Sequence, residues 1–312
     1  MNIFITGVAG FIGSHLAREC LENNYNVIGV DNFSSFYSRK QKEENIKILS
    51  NYPNFKFIEG DLNTISLESF SKAKIVFHLA AQPGVRESWG KNFVIYVKNN
   101  LLLTQRLLEF YKNKQINKFI YISSSSVYGK SEVLPQAESS PTNPLSPYGV
   151  TKLAGEKLAL LYWQNYSLPV VVLRYFTVYG PALRPDLAIH RFILSALQQK
   201  PVVIFDKGNQ KRDFTFIKDT VKATLSAISA PAGEIINIGS GKPVSINELI
   251  VLISRVLSTD ISITYKPHSI GDPPITWADI KKANKLLGFS PETSLLDGLL
   301  HTINWAKKFY QL

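Results

Sequence analysis

Apolar residues in the first half of the chain gather into short unbroken runs, separated by longer stretches with helical spacing. Residues 2–6 (NIFIT), 25–30 (YNVIGV), 55–59, 75–79, 119–123 and 169–173 (PVVVL) are runs of the first kind. Their length and β-branched content predict strands, and being apolar throughout they predict strands covered on both faces. Residues 11–23 and 92–112 repeat apolar positions every three or four residues and predict helices. Strand alternating with helix predicts an α/β fold built on a doubly wound parallel sheet. After about Tyr179 the pattern loosens, because Pro181, Pro185, Pro201, Pro231, Pro243, Pro267, Pro273, Pro274 and Pro291 cut it into short pieces. A helix over 187–199, strands over 202–205 and 213–217, and helices near Lys281 and Leu295 predict a smaller C-terminal α/β domain. Residues 217–230 and 234–238 read as a helix and strand of the main sheet. The expected division is therefore 1–178, with 214–238 returning to it, against 179–213 and 239–312.

Composition narrows the classes. With 312 residues and 45% hydrophobic content, the chain can bury one large core and a smaller one. Its single cysteine, Cys20, excludes internal disulfides and cysteine-based metal sites, and is expected to pack on the first helix. The longest apolar stretch, 158–176, is interrupted by Gln164, Asn165, Ser167 and Arg174, so no membrane span is expected. Met1 leads directly into the first strand; no signal peptide is expected, and the chain reads as cytoplasmic. The net charge of +11 comes from dispersed lysines, which argues against nucleic acid and suits attraction of an anionic small molecule. His15, His78, His190 and His301 have no metal-ligand spacing, and no metal is expected.

Two motifs carry chemistry. Residues 7–13 (GVAGFIG) lie between the first strand and first helix, placing Gly7, Gly10 and Gly13 where a chain turns tightly and approaches a pyrophosphate. The helix behind them offers free N–H groups to an anion. The second strand ends at Asp31, an acid that accepts hydrogen bonds from a ribose 2′-hydroxyl and repels a 2′-phosphate, so NAD is expected over NADP. Arg39 and Lys40 read as a solvated helix start. The second motif is Tyr148-x-x-x-Lys152, which puts both side chains on one helix face. The lysine charge is expected to lower the tyrosine pKa from its ordinary value near 10 and make the phenol a useful base.

Together with Gly60-Asp61-Leu62, His78-Leu79-Ala80-Ala81-Gln82, Asn99-Asn100, Ser123 to Gly129, Arg174-Tyr175-Phe176 and Arg212-Asp213-Phe214, these motifs resemble the extended short-chain dehydrogenase/reductases, specifically nucleotide-sugar epimerases. The resemblance covers essentially the whole chain. It implies a Rossmann domain in which Asp61 and Leu62 border the adenine. Ala80 and Ala81 line the cofactor cleft, and Lys152 also holds the nicotinamide ribose. It places Phe11, Ile12, Asn32, Leu79, Gln82, Asn99, Tyr148 and Tyr175 at the same cofactor. It makes Ser124 the catalytic hydroxyl beside Tyr148 and Lys152.

Nucleotide-sugar dehydratases carry Asp-Glu where this chain has Ser125 and Ser126, and decarboxylases usually carry Glu at Ser126, so epimerisation fits better. Residues 174–188 and 82–89, with Asp31-Asn32-Phe33, look most like bacterial UDP-glucuronate 4-epimerases. In that likeness Ser125, Ser126 and Thr177 offer hydroxyls to the sugar carboxylate, with Arg86 or Arg184 nearby. Arg212 resembles the family's diphosphate-binding arginine, and Asp272 the residue that bonds the uridine ribose. His268 stands where the family usually has Arg, and Ala182-Leu183 where it often has an aromatic and a glycine. For the serines, local capping of the following loop is the competing role. A UDP-glucose or UDP-N-acetylglucosamine 4-epimerase is the alternative enzyme, and a non-catalytic NAD-binding regulator the alternative of another class. The expected partners are a UDP-sugar and, in a homodimer, a second copy of the chain.

Overall fold

The computed structural model describes residues 1–267 and 271–312; His268 lies outside the described residues. Twelve strands and ten α-helices follow one another along the described chain. The strands are β1 (Asn2–Thr6), β2 (Asn26–Asp31), β3 (Phe55–Glu59), β4 (Ile75–His78), β5 (Lys118–Ser124), β6 (Val170–Tyr175), β7 (Thr177–Tyr179), β8 (Val202–Phe205), β9 (Lys211–Phe216), β10 (Ile235–Ile238), β11 (Pro243–Ser245) and β12 (Ile263–Lys266). The helices are α1 (Phe11–Glu22), α2 (Arg39–Leu49), α3 (Phe93–Tyr96), α4 (Leu103–Tyr111), α5 (Pro147–Tyr166), α6 (Ala188–Leu197), α7 (Ile217–Ser226), α8 (Ile246–Leu257), α9 (Lys281–Leu287) and α10 (Leu295–Tyr310). A π-helical turn, Val97–Leu102, joins α3 to α4.

Seven parallel strands form the main sheet in the order β10-β6-β5-β4-β1-β2-β3. Side chains alternate across it even where every residue is apolar. Ile3, Ile5, Ile75, Phe77, Ile120 and Leu173 face α1, with Leu16, Ala17 and Cys20. Phe4, Val76, Phe119 and Val172 face α4 and α5, with Leu107, Leu108 and Ala159. Burial on both faces is why these strands read as continuous apolar runs. From β1 the chain moves outward through β2 and β3, then returns to β4 on the other side of β1. That reversal opens a crevice at the strands' carboxyl ends, the position where such sheets bind ligands.

β10 pairs with β6, so the strand expected over 234–238 does join the main sheet. The remaining strands make two small sheets over that crevice, β11-β9-β7 and β12-β8. α8 was not expected from the sequence, although Ser245 and Glu248 form a complete capping box at its start. Among the described residues no helix is long and apolar enough to cross a membrane, and no cluster of His, Cys, Asp and Glu could hold a metal ion.

Candidate active site

Every residue expected to serve catalysis, the cofactor or the substrate lines one cavity of about 710 Å³ at the β1/β4 crevice. They come from successive strand ends: Gly7 after β1, Asp31 on β2, Asp61 after β3, Leu79–Gln82 after β4, Ser124 on β5, and Tyr175 and Thr177 at the β6–β7 junction. The volume lies in the usual range of small-molecule sites.

At the first strand end, Gly7 adopts φ +71°. A Cβ on Gly13 would stand 2.2 Å from the Gly7 carbonyl, so no side chain fits where α1 meets the turn. The start of α1 has no side-chain cap, leaving its first N–H groups for a ligand. The Asp31 carboxylate accepts from the backbone N–H of Ala9 at 3.2 Å and Phe33 at 2.9 Å, fixing it at the end of β2. Burial raises its pKa, opposed by Lys42 and these N–H groups. Arg39 is occupied elsewhere: it donates to Glu43 at 2.7 Å and, as a fork, to Glu59 at 3.0 and 3.1 Å.

Burial alone would raise the Asp61 carboxylate. Hydrogen bonds from Asn63 and from Lys98 outweigh that cost and hold its pKa below the usual range. His78 sits between the Thr6 and Thr104 hydroxyls at 2.9 and 3.0 Å; burial, with Lys152 nearby, pushes its pKa down to about 3 and keeps it neutral. It is a packing residue, as the sequence reading expected.

The reacting groups lie on β5 and α5. Ser146 caps α5 by accepting from the Gly149 N–H at 3.1 Å, and Pro147 stands in the first turn, so Tyr148 begins a rigid element. Lys152, one turn on, is buried with its ammonium 4.6 Å from the centre of the Tyr121 ring. Burial lowers its pKa to about 7, and the Glu156 carboxylate one turn further raises it. The expectation for Tyr148 is corrected here. Burial pushes its pKa up, the neighbouring Ser124 hydroxyl and the Arg184 charge pull it down, and Asp186 raises it.

Ser124 Oγ also accepts from the Ser126 N–H and donates to Ser126 Oγ, both at 3.1 Å. The local backbone cap is made by the Ser124 hydroxyl, not by the hydroxyls of Ser125, Ser126 or Thr177 for which capping was considered. Ser125 and Thr177 line the same cavity. The two arginines named as alternatives near a carboxylate separate. Arg184 lies on the Tyr148 side, held by Asp186 through two bonds of 3.0 and 2.9 Å. Arg86 stacks 4.0 Å over the Phe205 ring and stands 3.8 Å from Asp272, which also receives Arg212 at 2.8 Å.

Several cavity residues were missed. Tyr37 lines the cavity near Gly10, with its hydroxyl buried and unpartnered and Lys42 4.5 Å from its ring. Behind the cavity, Asn100, buried in the π-helical turn, accepts from the Gln82 N–H at 2.6 Å and donates to Thr151 at 3.0 Å, which fixes the Gln82 segment of the lining. Arg191 points a buried, unpartnered Nε into the cavity wall near Phe205; burial, then repulsion from Arg86, lowers its pKa. Tyr37 and Lys42 gave no signal in the sequence, since they sit in a segment that reads as polar surface, and Arg191 is a lone cation in the largely apolar helix expected over 187–199.

A Rossmann sheet with a capless helix start, a Tyr–Lys pair and a serine at the end of β5 defines an NAD-dependent short-chain dehydrogenase/reductase site. The chain belongs to the NAD dependent epimerase/dehydratase family, whose model matches residues 3–239. It is 44% identical to the uncharacterized UDP-glucose epimerase YtcB of Bacillus subtilis (strain 168), over 100% of this chain and 99% of that one. It is 39% identical to the UDP-glucuronate 4-epimerase of Thermodesulfobacterium geofontis (strain OPF15), over 99% and 97%. The crystal structure of UDP-glucuronic acid 4-epimerase from Bacillus cereus in complex with UDP-glucuronic acid and NAD matches with a TM-score of 0.97 at 44% identity, covering 99% of this chain and 100% of that one. The resemblance read from the motifs is thereby borne out.

Proposed function

We propose that this chain is an NAD-dependent 4-epimerase that interconverts UDP-glucuronate and UDP-galacturonate. One observation carries the sugar assignment: Ser125, Ser126, Thr177 and Arg184 line the same cavity as Tyr148, and the Arg184 charge is felt at the phenol. UDP-glucose offers no carboxylate to such a group of donors.

The residues present fit the dinucleotide. The glycine turn and the open end of α1 suit a pyrophosphate, and the unpartnered Tyr37 hydroxyl beside Gly10 supplies one further donor. Asp31 suits a free ribose 2′-hydroxyl, with Lys42 beside it. Asp61 and Leu62 border the adenine, Lys152 holds the second ribose, and Ala80, Ala81 and Tyr175 close the cleft. When bound, NAD⁺ supplies the hydride acceptor, later the donor, and a positive charge beside the phenol.

Tyr148 Oη takes the proton of the sugar's 4-hydroxyl as C4 is oxidised, and returns it on the other face after the 4-keto sugar has turned. Ser124 shares the hydrogen bond to that oxygen. The 4-keto form of a glucuronate is a β-keto acid, which loses carbon dioxide when its carboxylate bond aligns with the carbonyl π system. Donors that keep the carboxylate near the ring plane oppose that alignment. Arg86 and Arg191 beside Phe205, with Arg212 held to Arg86 through Asp272, suit a diphosphate and an aromatic base. Residues 1–178 with 214–238 hold the dinucleotide and supply the reacting groups and Arg86, and 179–213 with 239–312 complete the nucleotide-sugar site.

Incubating the purified protein with UDP-glucuronate, UDP-glucose and their N-acetyl analogues, and separating products, tests the substrate. Turnover of UDP-glucose but not UDP-glucuronate would establish the alternative enzyme. Thr177→Val keeps shape and deletes a charge-assisted hydrogen bond worth about 1.5–3 kcal/mol. The expected result is a fall of roughly ten- to a hundredfold in kcat/KM for UDP-glucuronate, with carbon dioxide and a UDP-4-keto-pentose as side products. Equal losses on UDP-glucose, with no decarboxylated product, would mean that Thr177 only supports its strand.

The cofactor is regenerated in every cycle and has no need to leave. The packed helices α3–α4 and α5 expose Val94 (68%) and Leu102 (56%) on the one and Val150 (48%) and Leu161 (50%) on the other, apolar surface suited to a second copy. Native mass spectrometry should therefore give a dimer carrying two NAD molecules. A monomer, or protein free of dinucleotide whose activity depends on added NADP, would contradict these assignments. NAD and nucleotide sugars are cytoplasmic metabolites, which supports work in that compartment.

A further inference from the structure

Residues 181–184 connect the two sides of the cavity, and their backbone is held in an unusual way. Ala182 adopts φ +62°, a left-handed conformation that L side chains seldom take. Three consecutive carbonyls of this turn are taken by side chains from three different helices. His15 on α1 reaches the Pro181 carbonyl at 2.9 Å. Gln41 on α2 donates from one Nε2 to the Ala182 carbonyl at 2.7 Å and the Leu183 carbonyl at 3.1 Å. His190 on α6 reaches the Leu183 carbonyl at 2.8 Å through Nδ1, while its Nε2 faces the Tyr310 hydroxyl at 2.9 Å. Burial lowers the pKa of both histidines, so each serves as a neutral ring with one N–H directed at its carbonyl.

A buried loop must satisfy its carbonyls somehow. The residue at the end of this turn sets it apart from other such loops. Arg184 has its fork on Asp186 and its charge felt at Tyr148. Gln41, 2% exposed, is the only clamp residue that holds two of the carbonyls, including that of the left-handed residue. Its neighbour on α2, Lys42, donates to the Ser34 carbonyl at 2.7 Å on the dinucleotide side. One turn of α2 thus ties the dinucleotide cleft to the turn that carries the substrate arginine.

We propose that Gln41 is a positioning residue: its amide fixes the 181–184 turn so that Arg184 is presented to the sugar beside Tyr148. The proposal rests on the reading of Arg184 as a substrate residue. Gln41 touches neither substrate nor cofactor and acts only through the turn.

A double-mutant cycle tests it, using Gln41→Met, Arg184→Met and the double variant, assayed on UDP-glucuronate with NAD content measured for each. Gln41→Met keeps length and removes both N–H donors. It should lower kcat/KM about ten- to a hundredfold, mainly through KM, because small misplacement of a binding group costs that much. NAD content should match wild type. In the Arg184→Met background the same change should alter kcat/KM by less than about twofold, since the group it positions is already gone. Gln41→Asn, which keeps the amide but falls short of the carbonyls, should behave like Gln41→Met and serves where the methionine variant is insoluble. Equal effects of the Gln41 change with and without Arg184, or no effect in either, would overturn the positioning role. An Arg184→Met variant with wild-type kinetics would overturn the reading of Arg184, and the role of Gln41 with it.

Discussion

Tyr148→Phe is expected to lower kcat at least about a hundredfold while NAD content stays at the wild-type level. General acid–base help from a positioned side chain contributes about 10²–10⁴-fold, and here no other group can take over. His78 is neutral and enclosed by two threonine hydroxyls. Lys152 is buried against the Tyr121 ring, and Ser124 has no base of its own. The phenylalanine ring keeps the edge-on packing that Tyr148 makes with Tyr96 at 6.3 Å, so the wall is preserved and only the proton acceptor is lost. The pH dependence gives a second readout. Burial raises the Tyr148 pKa, so the wild-type rate should climb with pH as the phenol loses its proton, and the residual rate of the variant should lack that limb. Turnover like wild type, or an unchanged pH limb, would remove Tyr148 from the reaction.

The legible parts of the fold are those whose pattern is set by burial alone. β1, β4 and β5 begin and end within a residue of where they were expected, because a strand covered by neighbours on both faces must be apolar almost end to end. β12 could not be found this way. Its four residues are all exposed, and it exists through pairing with β8. α2 reads as polar chain because RKQKEENIKIL buries Gln41, Lys42 and Asn45 rather than an apolar stripe. The same limit applies to the site. Spacing put Tyr148 and Lys152 on one helix face, and the motifs put every expected residue in one cavity. Spacing does not report desolvation, which dominates both pKa values and reverses the simple electrostatic expectation for Tyr148. Nor does it show which arginine meets which group, since Arg86 and Arg191 reach Phe205 only through tertiary packing.

The largest stability loss is expected from Glu156→Gln, behind the active-site helix. Glu156 is 0% exposed and Arg174 on β6 is 2% exposed. The carboxylate receives Arg174 Nε at 3.1 Å and the Ser123 hydroxyl at 3.0 Å, and a second guanidinium nitrogen completes the pair. Arg174 in turn donates to the Glu138 carbonyl at 3.2 Å and lies 4.7 Å over the Tyr128 ring. Removing one partner leaves a buried charge uncompensated, which costs about 3–5 kcal/mol. At roughly 2–4 °C per kcal/mol for large domains, the melting temperature should fall on the order of 10 °C. Replacing both partners, as Glu156→Gln with Arg174→Met, leaves no bare charge and should recover most of that loss. A catalytic effect should accompany it, because Glu156 raises the Lys152 pKa and its removal lowers that pKa further below about 7. Lys152 in Glu156→Gln should then lose its proton at lower pH than in wild type, and the double variant should regain stability without regaining that titration. A melting temperature unchanged in Glu156→Gln would mean the pair is replaceable by water or relaxation. Recovery of both properties in the double variant would separate Glu156 from the charge on Lys152.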